Sequence, residues 1–203
     1  MRVTLDEMMD SLGKSLTQIG ETVDRLLVAA YTAGPAERAE IVAQKQREVE
    51  EHAATMEALI IDVLATQQPV VATDLSVVKG VLVASRQLGY VAHEYRELTH
   101  LMDQMGIPSP NLPAEVTAVL PEVWQVVTES IAAFLHDDRI LADFTLERIG
   151  RLEQVMLEVT TPPHPSTLVP VQQLHRLALS RVLDAARVIT RSAPLYRYVD
   201  QPR

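Results

Sequence analysis

An all-α protein is predicted by three observations. Apolar residues recur at alternating steps of three and four through most of the chain, which is the period of a helix that buries one face. Ala, Val, Leu, Glu and Arg dominate while aromatics make up only 4%, a mixture that favours helices over sheets. Clustered prolines divide the periodic segments into two cycles of three. With 203 residues, 47% of them hydrophobic, the chain can hold one large or two small domains around a sizeable core.

The first helix is marked by Leu5, Met8, Leu12, Leu16, Ile19, Val23, Leu26 and Ala30, all on one face. Gly34-Pro35 ends it, because glycine accepts a left-handed C-cap and proline opens a following helix without needing its N–H. A second helix is expected from about Ala36 to Thr66. It is polar at first (Gln44-Lys45-Gln46-Arg47-Glu48), and its stripe strengthens at Met56, Leu59, Ile60, Val63 and Leu64. After a break at Pro69 a third helix is expected from about Val71 to Met105, carrying Leu75, Val78, Leu82, Leu88, Val91, Tyr95, Leu98 and Met102. Val77, Val78, Val81 and Val83 read as an exposed stripe that would support a homodimer.

Gly106 to Pro113 is the clearest linker, since three prolines within six positions cannot continue a helix. It places a domain boundary between residues 1–106 and 107–203. The second cycle follows. Val116, Leu120, Val123, Val127, Ile131 and Phe134 mark a fourth helix, with a fifth expected over Leu141 to Val159 and a sixth over Leu168 to Arg191. Thr161-Pro162-Pro163-His164-Pro165-Ser166 separates the last two. The fifth helix is shortened against the second by about two turns of ~3.6 residues. Ala193 to Arg203 reads as a frayed polar tail.

Charge and composition narrow the function. A net charge of -9 with only three lysines, Lys14, Lys45 and Lys79, argues against nucleic acid, whose binding needs clustered cations, and against an anionic membrane surface. The absence of cysteine excludes disulfides, thiolate nucleophiles and thiolate-held metal centres. Asp6, Glu7 and Asp10 stand where a secretory leader would be basic and then apolar, so a cytoplasmic protein is expected. The greasiest windows, Ala58 to Ala65 and Val77 to Ala84, fall far short of the roughly 20 apolar residues of a spanning helix. No Gly-rich phosphate loop, Gly-x-Ser-x-Gly elbow, His-Glu-x-x-His helix or paired Glu-x-x-His occurs, so no enzyme is expected.

Three constellations stand out. His93, Glu97 and His100 share one face of the third helix, where imidazole and carboxylate could hold a divalent or iron-type metal ion; a solvated face is the plainer reading. Glu48, Glu50 and Glu51 with His52 form an acidic turn that reads as exposed. In His136-Asp137-Asp138-Arg139, Asp138 reads as the N-cap of the fifth helix.

The string Gln67-Gln68-Pro69-Val70-Val71-Ala72-Thr73-Asp74-Leu75-Ser76 resembles that of the phosphate uptake regulator (PhoU) family, in which Gln-Pro, a small residue and Asp-Leu-Arg open the third helix of a three-helix bundle; Ser76 replaces the Arg. Ala133-Phe134 followed by Asp138 matches the fourth-to-fifth helix turn. The resemblance covers nearly the whole chain and implies two tandem three-helix bundles. It implies a regulatory adaptor in phosphate homeostasis that contacts a phosphate transporter ATPase subunit, a sensor histidine kinase, or both. The family's Glu/Asp-x-x-x-Asp pairs, which hold multinuclear metal clusters, are eroded here. The second-helix pair falls on Gln46 and Glu50, the third-helix pair on Gly89 and His93, and in Ser180-Arg181-Val182-Leu183-Asp184 only Asp184 remains. Asp143 with Glu147, or Glu147 alone, are the fifth-helix candidates. The implied metal ligands are therefore few: Glu50 and Asp184, beside the separate His93, Glu97 and His100. A metal-binding bundle, or a diverged paralogue serving another transporter or kinase, is the alternative reading.

Overall fold

The structure is a computed structural model that describes residues 5–66, 72–106, 114–159 and 169–193. It contains α1 (Leu5–Thr32), α2 (Pro35–Thr66), α3 (Ala72–Gln104), α4 (Ala114–Leu135), α5 (Arg139–Val159) and α6 (Val169–Arg191), with no strand among the described residues. The expected all-α class and the six helices are thus observed. Residues 67–71 of the Gln-Pro string, the joint at 107–113, the whole breaker at 161–166 and the tail beyond Ala193 lie outside the described residues.

Helix ends follow local chemistry. Gly34 does not adopt the left-handed conformation expected of it. Its carbonyl instead accepts from the N–H groups of Glu37 (3.1 Å) and Arg38 (2.8 Å), so it starts α2 rather than capping α1, with Pro35 in the first helical position. The left-handed glycine is Gly106, at φ 65°, just past α3. Asp138 is the N-cap read from the sequence: its Oδ1 accepts from the N–H of Leu141 at 3.0 Å.

The periodic apolar residues of α1 from Met8 to Ala30 are all buried, as are Leu120, Val123, Val127, Ile131 and Phe134 of α4. Within each set of three the helices pack on one another, and two seams join the sets: α1 against α4, and α3 against α6. One continuous hydrophobic cluster runs through all six helices, with α2 and α5 outside the four seam helices.

Glycine permits the close approach at these seams. A Cβ on Gly80 of α3 would stand 2.5 and 2.8 Å from the Phe134 ring and 3.1 Å from the backbone oxygen of Ser192. On α1, a Cβ on Gly20 would collide with the Ile131 side chain.

Three expectations change. Val78 and Val81 are core residues, 3% and 1% exposed, and Val77 is partly buried against that core, so the valine stripe is not a free surface for self-association. The α-helical face there is spent on α3's own neighbours. α5 has 21 residues against 32 in α2, a difference of about three turns rather than two. Finally, Thr117–Leu135 within α4 is long and apolar enough to cross a membrane; the expectation overlooked it because its hydropathy is spread over 19 residues rather than concentrated in a short window. In the fold this helix packs against α1, α5 and α6.

Candidate functional site

Two regions combine polar chemistry with position: the buried centre where the halves meet, and the outer faces that carry the candidate acidic and histidine residues. At the centre, α1 contributes Tyr31, α3 Tyr95, α4 Trp124 and α6 His175. Tyr31 touches all three others, with ring centroids 5.8 Å from Tyr95, 6.3 Å from Trp124 and 5.5 Å from His175. The Tyr31 and Tyr95 hydroxyls share a hydrogen bond of 3.1 Å, and His175 Nδ1 lies 3.4 Å from the Tyr31 hydroxyl. Burial pushes both phenols well above their ordinary range. Burial, reinforced by Arg38, lowers His175 to about 4, so its imidazole is neutral at pH 7. His175 is 1% exposed, and its Nε2 has no hydrogen-bond partner within the protein.

Arg38 of α2 is fully buried beside this cluster and donates through Nη2 to Asp103 Oδ1 of α3 at 3.0 Å. Sequence reading missed both Arg38 and His175, yet each follows a helical stripe. Arg38 precedes Val42, Gln46, Val49 and Met56 in steps of three, four or seven, and His175 precedes Leu179, Val182, Ala186 and Ile189. A charged residue on such a stripe is a buried pair in waiting. Asp103→Ala removes the carboxylate from a buried guanidinium and is expected to cost about 2 kcal/mol, less than a fully buried pair because Asp103 is itself partly exposed. Urea denaturation at pH 7 measures it; a midpoint equal to wild type contradicts it.

The outer candidates are differently placed. His93, Glu97 and His100 are exposed along α3; His100 Nε2 hydrogen-bonds the Gln104 amide at 2.9 Å, and Arg96 stands 4.0 Å from Glu97. On α2, Glu50 is exposed and accepts from the side-chain amide of buried Gln46, while Glu48 is held below the usual carboxylate range by hydrogen bonding from Lys45. Asp184 of α6 pairs with Arg187 at 3.2 Å, and the same guanidinium reaches Glu153 of α5 at 2.5 Å. Asp143 pairs weakly with Arg139 at 3.9 Å, and Glu147 is exposed.

These surroundings do not fit the metal cluster that the resemblance implies. On α2 an amide occupies one ligand position and bonds to the other; on α3 the pair is Gly89 and His93; on α6 the remaining carboxylate is taken by an arginine. Among the described residues no group of three or more His, Asp or Glu is placed to hold a metal ion. Several carboxylates of the second half are met by arginine instead. Arg148 of α5 reaches Glu129 of α4 at 2.7 Å and Glu122 at 3.5 Å, and Arg151 reaches Glu122 at 2.7 Å.

Grooves follow both seams. Along α1 and α4 one groove of about 520 Å³ carries Glu21, Asp24 and Arg25 over Ile131 and Leu135, and another of about 840 Å³ carries Asp10 and Lys14 over Val77, Val81 and Phe134. Between α3 and α6 lies a smaller one of about 280 Å³.

No protein-family model and no curated protein matches the sequence. Solved structures do match its fold. The crystal structure of PhoU from Pseudomonas aeruginosa superposes with a TM-score of 0.79 at 18% identity, covering 96% of this chain and 99% of that one. That of the phosphate transport system regulatory protein PhoU from Streptococcus pneumoniae gives 0.80 at 16% identity, covering 98% of each. The chain is PhoU-like in fold over nearly all of its length.

Proposed function

We propose that this chain is a PhoU-like regulator in phosphate homeostasis, an adaptor in the cytoplasm that contacts a phosphate transporter ATPase subunit, a sensor histidine kinase, or both, and damps uptake and signalling when phosphate is plentiful. The observation that carries the reading is agreement in fold with two PhoU structures over nearly all of both chains. The interior is compatible with it: the Tyr31–Tyr95 and Arg38–Asp103 pairs join helices, and the exposed candidates Glu50, His93, Glu94 and Glu97 stand on outer faces suited to a partner. No reaction is assigned to the protein itself.

Affinity capture of the tagged chain from its own cells, grown with and without phosphate, tests the contact. Enrichment of a phosphate transporter ATPase or sensor kinase is expected. Recovery of a different transporter or kinase instead would make the chain a paralogue with another client, and recovery of neither would overturn the adaptor reading.

A further inference from the structure

The groove between α3 and α6 differs from the two along α1 in its charge. In the α1 grooves each cation already has a carboxylate: Lys14 pairs with Asp10 at 2.9 Å, and Arg25 lies 3.5 Å from Glu21. The α3–α6 groove is lined by Glu94, Glu97, Leu98, His100, Leu101, Gln104, Leu174, Leu177 and Ala178, with two carboxylates and no Lys or Arg. Its floor is apolar. Leu98 is nearly buried, Leu101 and Leu174 are partly covered, and Leu177 is 53% exposed although it lies on the seam between the two halves. At about 280 Å³ the groove is smaller than the roughly 300–1,000 Å³ of small-molecule sites. It suits one or two apolar side chains supplied by another surface.

We infer that this groove docks an amphipathic helix of a partner protein, whose leucine- or phenylalanine-sized side chains enter over Leu174 and Leu177 and whose Lys or Arg residues face Glu94 and Glu97. An apolar floor edged by two carboxylates, of which only Glu97 has a cation nearby, the exposed Arg96 at 4.0 Å, complements a helix with an apolar stripe flanked by cations, the helix-in-groove mode of recognition. A second copy of this chain fits poorly, because it too carries a net charge of -9. The identity of the partner rests on the adaptor reading above; the chemistry of the groove does not.

The test is fluorescence anisotropy of the full chain with a labelled amphipathic helical peptide of about 18 residues, carrying Leu at i, i+3, i+4 and i+7 with Lys on both flanks. Four proteins are compared: wild type, Glu94→Lys with Glu97→Lys, Leu177→Asp, and Glu147→Lys at an exposed position of α5 as a charge control. Unchanged helical circular dichroism checks that each variant folds. Wild type is expected to bind, both groove variants to bind at least roughly tenfold more weakly, and the control to stay within about twofold of wild type. Absence of binding by wild type overturns the proposal, and so does a control that weakens binding as much as the groove variants, which would mean attraction to net charge alone. Affinity capture of a phosphate transporter ATPase or sensor kinase with the groove variants separates the two readings. Capture lost with the groove variants supports both, capture retained by them overturns the groove, and no capture by wild type overturns the adaptor while the peptide result still judges the groove.

Discussion

Gly80→Val is expected to be the most damaging single substitution at the seam, costing about 4 kcal/mol. Two effects compete. Replacing a mid-helix glycine gains part of the ~1 kcal/mol by which glycine disfavours helix. Against this, a Cβ would meet the buried Phe134 ring at 2.5 and 2.8 Å and the Ser192 backbone oxygen at 3.1 Å, and the two methyl groups of valine extend the clash. Overpacking a well-filled core costs about 1–3 kcal/mol for a few extra methylenes, and more where backbone must shift. Overpacking therefore wins. For a chain of this size the melting temperature should fall by roughly 8–16 °C. Gly89→Ala is the counterpart, because nothing lies within 4 Å of its added Cβ; helix propensity alone then acts and stabilises by about 0.5–1 kcal/mol. Thermal unfolding of both variants measures the contrast, and equal melting temperatures contradict it.

The second large effect is a loss of stability in mild acid that depends on His175. Its folded pKa is lowered from 6.5 to about 4 by burial and by Arg38. Above pH 6.5 the imidazole is neutral whether folded or unfolded, and the stability it permits is fully present. As pH falls from 6.5 to about 4, the unfolded chain takes up a proton that the folded chain refuses, so stability is lost across that window and no further below it. The depression corresponds to about 3 kcal/mol for a group only 1% exposed. Carboxylates titrate in the same range, so the informative quantity is a difference. Between pH 7 and pH 4.5, wild type should lose about 2 to 3 kcal/mol more than His175→Leu, measured by urea denaturation at both pH values. Parallel losses would mean that the imidazole is as free to protonate in the fold as outside it.

How far the fold could be read from residues depended on whether a signal was periodic or spatial. The stripe from Met8 to Ala30 and the breaks at Gly34-Pro35 and Gly106 mark helices and their ends without knowledge of neighbours. The valine run at 77–83 misled because apolar residues on a helix do not say whether another helix covers them; here α3 uses Val78 and Val81 in the shared core. Gly80 likewise carries no mark in the sequence of the Phe134 ring that requires it. For the candidate site, erosion of the acidic pairs was legible at Gln46, Gly89 and His93. The arginines that meet the remaining carboxylates, Arg187 on Glu153 and Asp184 and Arg148 on Glu122 and Glu129, come from contacts between helices. The Tyr31–Tyr95–His175 cluster needed the structure for the same reason, since its members lie on three helices.

Phosphate uptake in cells lacking this chain tests the regulatory role most directly. Cells grown in ample phosphate and given labelled phosphate should take it up faster without the chain than with it, and a plasmid copy should restore the slower rate, whereas in phosphate-starved cells the two strains should be alike. Equal uptake with and without the chain in ample phosphate would contradict a regulator of phosphate transport.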